Sequence, residues 1–327
     1  ERAAALVWLL AEQMLDPEDV GDRQVAMVPD QLLRERRPAD AATAVDVGDF
    51  PELVRLGRLP ELGVQSGGEV SGSADISRRF GPDDSTGIRV NAVKRSGNDG
   101  IDDEKRDLTA ASVGLDWRSR NARISADIGY QDYTLTQGRP SVTPGFGLPI
   151  PAAPDAQKNF AQPWTTSSER DTFGTVRGEL DINDQWTVYA AGGLRHGDES
   201  NVVANPTLTN IFGATAASRF DNTRQDDVST GEIGVRGKFA TGSVQHSLVA
   251  SATAYNDDQR NAYGLSGTTI LSNIYAPVAT LFPPPPTLFT GGLLNDPMQT
   301  LKVQTSSFAL ADTMSFMQDR LLVTLGA

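Results

Sequence analysis

Cysteine is absent from all 327 residues, which removes disulfide staples, zinc–thiolate centres and thiol nucleophiles together. Histidine is scarce: His196 and His246 are the full complement, and neither sits in a carboxylate-rich motif that would fix metal-ligand spacing. No Gly-x-Ser-x-Gly elbow or phosphate-binding loop occurs, and Ala191-Gly-Gly193 reads as small residues relieving crowding within a strand. Catalysis therefore has no support, and no cofactor is expected. Basic residues are outnumbered 29 to 42, a formal net charge of -13, so nucleic acid is not an expected partner. No apolar run reaches the roughly 20 residues of a membrane-spanning helix. The best, Ala3 to Leu15, is broken by Glu12 and Gln13 and does not have the form of a signal peptide. A β-barrel carries no such helical signal, so that class stays open.

What the chain does have is a period of two. Val113, Leu115 and Trp117 are apolar while Asp116 and Arg118 are charged; Ile124, Ala126, Ile128 and Tyr130 alternate with Arg123, Ser125 and Asp127. The same holds for Val176, Gly178, Leu180 and Ile182 against Arg177, Glu179 and Asp181, and for Ile233, Val235 and Phe239 against Arg236 and Lys238. Successive strand side chains point to opposite faces, so each segment has one apolar and one polar face. About ten strands in five hairpins are predicted, over 69–80, 87–95, 108–118, 122–133, 172–182, 186–196, 229–239, 246–256, 303–316 and 321–327. Within hairpins the links are short and rich in turn formers; between them lie polar stretches at about 96–107, 134–171, 197–228 and 257–302. Short and long connections alternate, as periplasmic turns and extracellular loops do in an outer-membrane barrel. Trp117, Tyr130, Tyr133, Trp186, Tyr255 and Phe316, near strand ends, suit its interfacial girdles.

Several segments, in order, resemble the barrel of TonB-dependent siderophore receptors, particularly the ferric-hydroxamate-like group. They include Ser77-Arg-Arg-Phe-Gly81, Gly87-Ile-Arg-Val-Asn91, Val113-Gly-Leu-Asp-Trp117, Ile128-Gly-Tyr-Gln131 and Gly138-Arg-Pro140. Further on come Asn159-Phe-Ala-Gln-Pro-Trp164, Asp171-Thr-Phe-Gly174, Trp186-Thr-Val-Tyr-Ala190, Gly231-Glu-Ile-Gly-Val-Arg236 and Leu322-Val-Thr-Leu-Gly326. The resemblance implies a barrel of about 22 strands with a plugged lumen, set in outer-membrane lipid. It also implies a ferric siderophore as transported ligand and a TonB energy-transducing complex as partner.

On that reading residues 65–327 are a partial receptor barrel, an all-β antiparallel transmembrane fragment expected to form an open sheet. Residues 1–64 are an atypical segment, helical then loop-like, without a recognisable plug or partner-binding segment. They read either as an out-of-frame or misassembled translation or as an unrelated helical piece. A passive porin-like barrel and a soluble β-rich binding or adhesion protein are the rival readings.

A chelate site needs aromatic surface to shed water and polar groups to bond its oxygens. The loop at 134–171 offers Arg139, Phe146, Phe160, Gln162 and Trp164; that at 257–302 offers Tyr263, Tyr275, Phe282 and Phe289. Pro283 to Pro286 should be stiff and extended. The acidic clusters Asp99 to Glu104 and Asp226-Asp227 lack calcium-loop spacing and are expected in solvated loops.

Overall fold

The computed structural model describes residues 58–65, 67–318 and 320–327. Ten strands in five hairpins carry the fold. They are β2 (Val70–Phe80), β3 (Thr86–Asn98), β4 (Lys105–Arg118), β5 (Ala122–Thr136), β6 (Thr166–Asp181), β7 (Trp186–Ala204), β9 (Ala214–Thr241), β10 (Val244–Asn273), β13 (Gln299–Phe316) and β14 (Leu321–Gly326). Before them comes β1 (Arg58–Val64); short pieces β8 (Thr207–Leu208), β11 (Gly292–Leu293) and β12 (Asp296–Pro297) lie in the longer links. Each long strand pairs antiparallel with its neighbour in sequence, in the order β1-β2-β3-β4-β5-β6-β7-β9-β10-β13-β14, and the described sheet is open at β1 and β14.

The tight links follow from local chemistry. Asn183 Oδ1 accepts from the backbone N–H of Gln185 and Trp186, both at 2.9 Å, and turns β6 into β7. Ser119 Oγ accepts from the N–H of Ala122 at 3.1 Å between β4 and β5. Between β9 and β10 only Gly242 and Ser243 remain, and Gly242 holds φ at +62°, as a two-residue hairpin requires.

The register sorts side chains into two faces. Ile76, Val90, Val113 and Ile128 stand in one row across four strands, and Trp117, Ile124, Gly178, Ala190, Ile233, Ala252 and Phe308 in another. These are uncovered: Ile128 is 65% exposed, Ile233 64% and Phe308 83%. An apolar band this large facing outward needs lipid, not water, as its solvent. Trp117, Trp186 and Phe239 lie at its short-turn end, the last two stacked at 6.2 Å and 10°. Trp186 also lies across Gly237, where any Cβ would come within 2.4 Å of its ring.

The opposite face is a charged lattice. Arg123 binds Asp181 through two 2.8 Å bonds and Glu179 at 3.1 Å; Arg177 and Arg236 converge on Glu179 at 2.9 and 2.8 Å. Tyr189 donates to Glu232 at 2.7 Å beneath the Arg177 guanidinium, 4.6 Å from its ring centroid. Among the described residues no large side chain is fully buried, so stability rests on ladders and this lattice rather than on a dry core. This is the lumen wall.

Three expectations change. β1 joins the sheet ahead of the boundary placed at residue 65, while residues 1–57 lie outside the described residues. Tyr133 and Tyr255 have lumen register, opposite Glu169 and Thr230, so they leave the girdle. The polar stretches also shrink. The links are now 99–104, 137–165, 205–213 and 274–298, because β9 and β10 run on for 28 and 30 residues. Asp226-Asp227 thereby lies in a strand, not a loop. At about 3.3 Å per residue β10 spans roughly 100 Å, far more than the ~10 residues a tilted bilayer crossing takes. Its upper half stands above the membrane.

Candidate functional site

Above the lipid band, β9 and β10 stay paired to Asn273↔Ala214, and β7 pairs with β9 without slippage to Ala204↔Arg219. Because that register is unbroken, Arg219 and Asp221 share the outward face with Ile233, while Phe220 and Asn222 share the lumen face with Glu232. The proline-rich link 274–298 folds over the outward face. Arg219 makes a bidentate pair with Asp221 at 2.7 Å, donates to the Pro283 carbonyl at 2.8 Å and lies 4.1 Å from the Phe282 ring centroid. Phe282 meets Trp164 at 5.3 Å, and Pro286 and Phe289 come against Gly264. Ala262, Gly264 and Ser266 are buried under this cover, whereas Tyr263 and Leu265 between them are exposed.

The sequence candidates divide accordingly. Gln162, 4% exposed, ties two links together: its Nε2 donates to the Val278 carbonyl at 3.0 Å and its Oε1 accepts from Thr280 N and Oγ1 at 2.9 and 2.8 Å. Gln162→Leu is expected to leave the Thr280 donors and the Val278 carbonyl without these partners. That costs the junction about 1–3 kcal/mol, read as faster hydrogen exchange at Thr280. Arg139 clasps its own link, donating to the Ala156 carbonyl at 2.7 Å and, from its backbone N–H, to buried Glu104 at 2.9 Å. Glu104 also holds Arg106 at 2.8 Å, so this end of the Asp99 to Glu104 cluster is a buried anchor. Tyr275 donates its hydroxyl to the Ala152 carbonyl at 2.5 Å and packs over Gly213, joining three links. Phe160 is half-buried within its link, and Phe146 projects fully into solvent. A shallow cleft of about 360 Å³ opens between Thr268–Leu271 and Thr280–Pro284, offering hydroxyls and apolar surface but no charge.

Tyr263 is different. It faces the lumen beside Phe220, with ring centroids 5.7 Å apart, and Leu265 adjoins them, 61% exposed. Beside Tyr263, which pairs with Asn222, runs an amide ladder across three strands: Asn201 Nδ2 donates to Asn222 Oδ1 at 3.2 Å, and Asn222 Nδ2 to Asn261 Oδ1 at 2.5 Å. Sequence reading missed Phe220, Leu265 and the asparagines, since it placed them in loops. The signal that could have found them is the alternation Phe220, Asn222, Arg224, Asp226 continuing the lumen set of β9. Among the described residues no three His, Asp or Glu side chains converge as metal ligands.

An apolar outward band, a charged lumen lattice and tall strands tied at one rim constitute a specific architecture. The chain has the barrel fold of the TonB-dependent siderophore receptors. It is 36% identical over 261 residues to the ferrichrome receptor FcuA of Yersinia enterocolitica, a match covering 80% of this chain and 34% of that protein. The ferric preacinetobactin receptor BauA of Acinetobacter baumannii superposes with a TM-score of 0.72 at 31% identity, over 80% of this chain and 39% of that one. The ferric-catecholate import receptor Fiu of E. coli K12, 19% identical, shares the fold with a TM-score of 0.62, over 77% of this chain and 41% of its own. No protein-family model matches the chain. The receptor-type barrel thus spans about a third of the curated relative it matches, and it belongs to the bacterial outer membrane.

Proposed function

We propose that this chain forms receptor wall for the uptake of ferric siderophores. The chelate is bound at the extracellular mouth, and an energy-transducing partner of the TonB type drives its passage. The carrying observation is the lumen-facing Phe220–Tyr263–Leu265 surface, half-buried at Phe220 and exposed at Tyr263 and Leu265, beside the asparagine ladder. Aromatic and leucine surface takes up the apolar flank of a chelate, while the tyrosine hydroxyl and the Asn261 amide nitrogen suit its oxygens. The amide nitrogens of Asn201 and Asn222 are spent on Glu199, on the ladder and on the Ala262 carbonyl. Phe146 and the exposed part of Phe282 are further contact candidates at the rim. Trp164, Gln162, Arg139 and Tyr275 act mainly by holding the links that frame the mouth.

The test is binding of a ferric tris-hydroxamate to the full chain in detergent micelles, followed by quenching of tryptophan fluorescence. Saturable binding is expected, weakened about tenfold by Tyr263→Ala and by Phe220→Ala, the scale of a single aromatic anchor. A passive porin-like wall would give no saturation, and that result would overturn the receptor reading.

A further inference from the structure

We infer that a hard divalent cation of the calcium class binds at the β6–β7 end of the asparagine ladder, held by Glu169, Glu199, the Asn201 side-chain carbonyl and the Ser167 hydroxyl. The inference goes beyond the receptor reading and does not depend on it. Glu169 and Glu199 stand directly opposite each other in the β6–β7 pairing, both on the lumen face. Like charges at opposite positions of an antiparallel pair, with Cβ atoms about 5 Å apart, repel and destabilise the sheet. Arg224 faces Glu199 from β9 but is engaged by Asp226 at 2.9 Å. Arg95 lies in the same row on β3, three strands from Glu169 and roughly 14 Å across the sheet.

The second observation is Asn201, the next lumen-facing residue of β7 after Glu199. It is 6% exposed, and its Oδ1 has no hydrogen-bond partner. The amide orientation is fixed by its nitrogen: Nδ2 donates to Glu199 Oε1 and to Asn222 Oδ1, the latter at 3.2 Å. Turning it over would set Oδ1 against two acceptors. Because Nδ2 reaches toward β9, Oδ1 is left on the β6 side, where Ser167 stands opposite, 7% exposed. A buried acceptor of this kind calls for a partner. A proton donor would satisfy Oδ1 alone, whereas a cation satisfies Oδ1 and offsets the repulsion between the two carboxylates. All four groups present oxygen, which suits a hard cation that completes its shell of about 6–8 oxygens with water. With two carboxylates and two neutral oxygens, the set needs no convergence of three acidic side chains. Bound there, the ion joins β6 to β7 and caps the ladder.

The experiment titrates terbium, a luminescent calcium mimic, into the full chain in detergent and reads emission excited through the aromatic side chains. Tyr133, opposite Glu169, places an antenna beside the site. Saturable emission is expected, displaced by calcium at ~10⁻⁴–10⁻³ M, the range of extracellular calcium modules. Glu169→Gln/Glu199→Gln, isosteric at both positions, should weaken calcium binding at least ~tenfold, since affinity follows the charge of the ligand set. Asn201→Asp keeps the oxygen and adds a charge, so it should tighten calcium binding about threefold or more. Unchanged affinity in the double variant would place the ion at another acidic group and overturn the site. No saturable emission from the native chain would mean that water fills this corner, and would overturn it as well. Should circular dichroism show that the double variant has lost its strands, Asn201→Asp decides: unchanged or weaker calcium affinity there overturns the site.

Discussion

Replacing Arg219 with alanine should release the proline-rich link from the outer wall while leaving the membrane-crossing strands in place. Arg219 is 8% exposed and Asp221 3%, and they are joined by two 2.7 Å bonds. Removing the guanidinium strands a buried carboxylate, also withdraws the bond to the Pro283 carbonyl, and leaves Phe282 without its cation. Truncating one partner of a buried pair costs about 3–5 kcal/mol, because the other charge is left uncompensated. Amide exchange across 274–298 should therefore accelerate by about two to three powers of ten, and proteolysis should open in the same segment. Arg219→Met/Asp221→Leu, which removes both charges, should recover much of the loss. Native exchange rates in Arg219→Ala would show that the link is held by other contacts.

The second large effect belongs to the outward face. Ile233→Arg puts a guanidinium in the apolar band, and its cost near the bilayer midplane is about 2–4 kcal/mol. Thr230→Arg, three residues away but on the lumen side, should cost far less, since its surroundings are polar. Urea titration of folding into lipid vesicles measures both. Equal penalties would mean that the two faces have been assigned the wrong way round.

These contrasts also mark what could be read from the amino acids. All ten expected strands and all five tight links are present, because a bilayer on one side and a wet lumen on the other impose alternation. Above the membrane that contrast disappears. Ala214 to Val228 continues β9 with threonine, asparagine, aspartate and arginine, so hydropathy gives no reason to extend the strand; the ladder to β10 does. The same loss of contrast hid the lumen-facing set Phe220, Asn222 and Leu265, and left only Tyr263 among the candidates on the exposed wall. Gln162 and Trp164 read in the sequence as polar and aromatic loop residues, but their partners lie more than a hundred residues away. No local pattern encodes such a meeting. β1 was missed for a different reason: Arg58–Val64 is short and contains Pro60, and its pairing shifts register between Arg58 and Glu61.

The bond between Gln162 and Thr280, 118 residues apart, has a consequence for the order of assembly. The strands pair with their neighbours along the chain, so the wall can grow hairpin by hairpin, the longest links to be closed being 137–165 and 274–298. The Gln162 junction cannot form until β6, β7, β9 and β10 are in place. The entrance should therefore set after the wall has inserted, and a kinetic trace should show a late phase in the links that follows strand formation.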